Sequence, residues 1–94
     1  MPTVKVIYWR DIPSVVQATD GLETVKVALS ERFQTLIDAV AMRLGLIDAD
    51  DYLEQWHHGE AEDRSGGVRE VAEAVAAELE SQFADFQERG LGES

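Results

Sequence analysis

Few side chains in this 94-residue chain could do chemistry, and the first constraint is what is missing. There is no cysteine, which excludes disulfides, thiolate catalysis and cysteine-ligated zinc or iron–sulfur clusters. The two histidines, His57 and His58, are adjacent. Adjacent residues share neither a helix face nor a strand face, so the pair is poorly placed to chelate one metal, and one of them with Glu60 or Glu62 would make only a weak site. Asp48, Asp50 and Asp51 resemble the opening of a calcium loop but lack its Gly at position six and Glu at position twelve. They suit the N-terminal turn of a helix better. Gly66-Gly67 precedes a helical pattern without the strand or glycine spacing of a phosphate-binding loop. What remains is Trp9-Arg10-Asp11, where adjacent opposite charges follow an aromatic residue. Arg10 either anchors the acidic second half through a salt bridge or, with Ile7, Trp9 and Asp11, contacts a partner or ligand. No His sits beside an acid and a nucleophile, so the expectation is a protein that is not an enzyme and uses no cofactor or metal.

These residues are positioned by the densest apolar and aromatic run of the chain, Val4 to Pro13. Val4, Val6 and Tyr8 alternate with Lys5, Ile7 and Trp9, which predicts a strand with both faces at least partly covered. Asp11-Ile12-Pro13 predicts a turn. Ser14–Thr19 and Thr24–Leu29 then read as two strands of an antiparallel hairpin joined at Asp20-Gly21-Leu22-Glu23. Ser30 is a candidate N-cap. Phe33, Leu36, Ile37, Val40, Ala41 and Leu44 recur at helical spacing up to Gly45, and this helix is expected to pack on Val25, Val27 and Leu29. A short helix follows from Asp48. Gln55–Glu62 reads as an edge strand, the alternative being that the helix runs on to Trp56 or His58. Val68, Val71, Ala72, Val75, Leu79, Phe83 and Phe86 predict one long C-terminal helix to about Gln87. Residues 90–94 are expected to be a disordered or frayed tail behind a single domain over residues 1–89.

The resulting expectation is an α+β fold: a small, largely antiparallel sheet of three or four strands with two long amphipathic helices packed on it. The first helix is needed on one face. The face with Ile7 and Trp9 then requires cover, either from the C-terminal helix or from another chain.

Charge narrows the partners. Residues 1–47 carry five basic and five acidic groups, whereas residues 48–94 carry three basic against fourteen acidic, so the whole net charge of −11 lies in the second half. Such a surface repels phosphate backbones and anionic lipid, which disfavours nucleic acid and membrane as partners. No stretch has the length of a membrane span or the pattern of a signal peptide, so a cytoplasmic location is expected.

The run Ile7-Tyr8-Trp9-Arg10-Asp11-Ile12-Pro13, then Leu29-Ser30-Glu31-Arg32-Phe33, Ile37-Asp38, Ala41-Met42-Arg43, Gly45-Leu46, Asp51-Tyr52-Leu53 and Trp56 resembles the bacterial virulence factor domain family. In longer members, the conserved virulence factor C proteins, a similar domain accompanies an Nfu-like scaffold domain and HEAT-type repeats. The resemblance implies an iron–sulfur or protein-quality context and brings no catalytic residues with it. Without cysteine, this chain could contact such a machine but not hold its cluster. The expected function is a protein-binding or adaptor module, with a protein partner or self-association. A small-molecule or anion-binding domain around Trp9 and Arg10 is the alternative.

Overall fold

The computed structural model describes residues 1–46 and 48–91. β1 (Thr3–Trp9) and β2 (Ile12–Thr19) form the central hairpin of an antiparallel sheet, joined by only two residues, Arg10 and Asp11. The predicted turn at Asp11-Ile12-Pro13 is therefore shorter, and Ile12 and Pro13 belong to β2. A proline lacks the N–H that an interior strand requires, and a bulge accommodates it. The pairing steps from Ile7↔Val15 to Tyr8↔Pro13, which leaves Ser14 as the extra residue. β3 (Thr24–Ala28) pairs with β2 through the predicted turn, where the Asp20 carboxylate accepts the N–H groups of Leu22 and Glu23 at 2.9 Å each. β4 (Trp56–His58) pairs with β1 on the other side, as the edge-strand reading expects, and β5 (Glu62–Asp63) continues along the start of β1. The order is β3-β2-β1-β4, with β5 beside β1. The described residues thus form five strands, one more than the upper expectation.

The described residues form four helices where two long ones and a short one were expected. α1 (Glu31–Arg43) ends in a Schellman motif, in which Gly45 at φ 74° donates to Met42 and Leu46 donates to Ala41. α2 (Ala49–Leu53) is short. The predicted C-terminal helix is broken at Gln82 into α3 (Val68–Ser81) and α4 (Phe83–Leu91). At the break the Ser81 hydroxyl donates to the Glu78 carbonyl, a local bond that competes with helix continuation. Phe83 and Phe86 instead turn onto Phe33 of α1, with centroids 5.0 and 6.2 Å away. α4 runs on through Gly90 and Leu91, two residues into the expected tail, and the rest of that tail lies outside the described residues.

The division of labour between helices also differs from expectation. α3, not α1, lies along β2 and β3, while α1 packs against β2 and α4. The buried residues of α3 (Val68, Val71, Ala72, Val75, Ala76) join Val4, Val16, Ala18 and Val25 of the sheet in the same core as Phe33, Leu36, Ile37 and Val40 of α1. Each large side chain buried there contributes about 1.5–3 kcal/mol. Two local features lock the helices together. The Ser30 hydroxyl makes no cap bond to α1; the Ser30 N–H and hydroxyl donate to the Glu80 carboxylate of α3 at 2.7 and 2.9 Å, as does Arg32 at 2.9 Å. Partial desolvation of that carboxyl is outweighed by the Ser30 and Arg32 donors, so its pKa falls below the usual range. Gly90 lets α4 approach α1 closely, since a Cβ there would stand 2.8 Å from Val40 Cγ2. Arg64 ties β5 to α3 by pairing with Glu62 and Glu78 at 2.8 and 2.9 Å.

Candidate functional site

The four residues singled out from sequence end in three different places. Trp9 is fully buried. Its indole N–H donates to the Tyr52 carbonyl at 2.9 Å and its ring lies 5.4 Å from that of Tyr52, which in turn meets Trp56 edge-on at 6.2 Å. α2 and β4 thus cover it internally, and no partner is required. The cover expected from the C-terminal helix or from another chain thus comes, for Trp9, from α2 and β4 instead.

Arg10 and Asp11 are exposed in the β1–β2 turn. Arg10 adopts φ 55°, the left-handed region that costs a side chain roughly 1–2 kcal/mol. The segment into β4 compensates: the Arg10 N–H donates to the Gln55 carbonyl at 2.9 Å, and its guanidinium donates to Gln55 Oε1 at 3.1 Å. His57 Nε2 lies 2.7 Å from the Arg10 carbonyl oxygen. That oxygen can only accept, so the contact uses the Nε2–H form of the ring. His57 thus holds the turn, with its ring stacked on Tyr8 at 5.6 Å. Arg10 pairs with a neutral amide, not with the acidic half of the chain by the salt bridge considered from sequence. It also borders a cavity of about 400 Å³ between the turn and helices α1 and α4, with Asp11 and Arg89 beside it and Ile12, Val40 and Phe86 beneath.

Ile7 lies elsewhere. Val6 and Val16 pair across β1 and β2, with Val16 in the core, so the next pair, Ile7 and Val15, points to the opposite, outer face. There Ala28, Val15, Ile7 and His58 stand in one row across four strands. The next row is Lys26, Gln17 and Lys5. These are the only lysines of the chain. Ala28 and Lys26 are exposed, and Ile7, Val15, Lys5 and Gln17 are half-buried, so this face is open to solvent. A Thr3–Thr19–Thr24 row completes it, with Asp63 accepting from Thr3 at 2.8 Å.

Sequence reasoning missed Gln55 and His57 as supports of Arg10, and missed Arg89 as its neighbour 79 positions along the chain. No local pattern points to these contacts. Lys5 and Lys26 were accessible in principle, because each alternates with valines in its own strand. Only the pairing register shows that they share a row.

Among the described residues no helix is long and apolar enough to cross a membrane. No curated protein and no solved structure matches the chain. The model of a family described as Virulence factor matches residues 7–89, from the middle of β1 to within α4 and so through every element described above. The chain belongs to the virulence factor family.

Proposed function

We propose that the protein is a non-enzymatic protein-binding module that engages its partner through the outer face of the sheet. The observation that carries this reading is the uncovered apolar row Ala28–Val15–Ile7, flanked by Lys5 and Lys26 on a chain with 19 acidic residues. An open apolar surface rimmed by polar residues is the usual anatomy of a docking site. The two lysines select a partner with carboxylates around an apolar centre. A symmetric face-to-face dimer is disfavoured, because Lys5 and Lys26 would then meet rows of threonine, glutamine, lysine or apolar residues and no row of carboxylates. The partner is therefore a different protein.

A photoreactive residue placed at Val15, with one at exposed Ala77 of α3 as control, tests the reading in the cell of origin. The expected result is a discrete adduct from position 15 only, lost in the Lys5→Glu, Lys26→Glu variant. Equal adducts from both positions, or none from position 15, would sink the proposal. Light scattering separates the self-association version: the parent should remain monomeric at high concentration.

A further inference from the structure

The cavity between the β1–β2 turn, α1 and α4 is independent of the outer sheet face. Its size, about 400 Å³, is within the range of small-molecule sites. Its lining is of two kinds. Ile12, Val40 and Phe86 are buried apolar side chains, while Arg10 and Arg89 bring two guanidinium groups and Asp11 one carboxylate. Two arginines elsewhere in the fold find carboxylates: Arg32 pairs with Glu80, and Arg64 with Glu62 and Glu78. Arg10 and Arg89, by contrast, form no ion pair with a carboxylate among the described residues. Arg10 bonds to Gln55, and Arg89 lies 5.6 Å from the centre of the Phe86 ring.

The backbone supplies a second, independent observation. Arg10 is the one non-glycine residue at positive φ among the described residues, and three hydrogen bonds from Gln55 and His57 hold it there. Strained conformations kept by over-determined surroundings cluster at ligand sites. Here the strain fixes the direction in which Arg10 leaves the sheet, beside the cavity.

We infer that this cavity binds a small organic monoanion, a carboxylate attached to a short apolar body. Two guanidinium groups against one carboxylate leave a single net positive charge, which suits one carboxylate and disfavours a dianion. The apolar body covers Val40 and Phe86, and the anionic head lies between Arg10 and Arg89.

Titration of the isotopically labelled full chain with hexanoate, followed by amide NMR, tests this directly. Saturable shifts are expected at Arg10, Leu44, Phe86 and Gly90, with a dissociation constant on the order of millimolar for so small a ligand. Arg89→Gln should weaken binding by about tenfold while the amide spectrum elsewhere stays that of the parent. Hexanol and inorganic phosphate, which each carry only half of the recognised chemistry, should bind much more weakly. Absence of saturation, shifts confined to other surfaces, or phosphate binding as well as hexanoate would each overturn the inference. So would unchanged hexanoate affinity in both Arg89→Gln and Arg10→Gln. The outer face plays no part, so a Lys5→Glu, Lys26→Glu variant should bind hexanoate as the parent does.

Discussion

Replacing Trp9 separates a core residue from an interaction residue, because the two roles predict opposite outcomes. Trp9 is fully buried against Tyr52 and donates its indole N–H to the Tyr52 carbonyl. Truncation of so large a buried ring costs about 3–5 kcal/mol. A 94-residue chain has a total stability of roughly 5–14 kcal/mol, so Trp9→Ala should remove about a fifth of it or more. Trp9→Phe isolates the polar contribution. The Tyr52 carbonyl keeps a second donor, the Gln55 N–H at 3.3 Å, so the lost indole bond should cost only about 0.5–1.5 kcal/mol, with a smaller packing loss added. Urea unfolding at constant m-value measures both, and light scattering should give the same mass for both variants and the parent. A core role for Trp9 is refuted if Trp9→Ala unfolds within about 0.5 kcal/mol of the parent, the ordinary range for a surface change. It fails equally if the variant keeps its stability but changes mass, the behaviour of an interface residue.

Three further outcomes follow from the packing and the charge. Gly90→Ala should destabilise by about 1–3 kcal/mol, reduced by up to about 1 kcal/mol of helix propensity; adding Val40→Ala should recover part of the clash, and strict additivity of the two changes would contradict the close approach of α4 to α1. The Asp20 and Glu78 carboxyls lie below their usual range, Asp20 through the Leu22 and Glu23 N–H groups and Glu78 through Arg64, and Glu80 joins them through Ser30 and Arg32. As pH falls through the ordinary carboxylate range near 4, the unfolded chain takes up protons that the folded chain declines. Stability should therefore decrease from there towards more acidic pH as the folded values are passed, and Glu80→Gln should flatten that dependence; parallel melting curves against pH for parent and variant would contradict it. With fourteen acidic groups in residues 48–94, the melting temperature at neutral pH should rise between low and moderate salt, and a flat response would show that the carboxylates do not repel appreciably.

The parts of the fold governed by local rules were legible in the sequence. The Asp20-Gly21 turn and the amphipathic α1 with its stop at Gly45 follow from neighbours within a few residues, whereas the choice between strand and helix end after Gln55 is decided by the pairing of Trp56–His58 with β1. The break at Gln82 was not legible, because Phe83 and Phe86 continue the stripe of α3 by spacing and leave it only because Phe33 of α1 offers a surface. The exchange of roles between α1 and α3 has the same origin: two apolar helices compete for one sheet face, and pattern alone does not rank them. At the site, the prominence of Trp9 came from its chemistry, yet α2 supplies its cover through Tyr52, a contact 43 residues away. The bulge at Ser14 was likewise hidden, since a one-residue shift in pairing depends on how Pro13 is accommodated. Arg10 and Arg89 reach the same cavity only because α4 turns back.

Recognition of an apolar, acid-rimmed protein surface by the outer sheet face is open to calorimetric titration with the partner captured at Val15. Parent chain and the Lys5→Glu, Lys26→Glu variant are compared at low and moderate salt. Parent binding should weaken as salt rises, charge reversal should weaken it by about tenfold or more at low salt, equal to about 1.4 kcal/mol, and salt should then no longer weaken it further. Equal affinity of parent and variant, with the same salt dependence, would contradict that recognition.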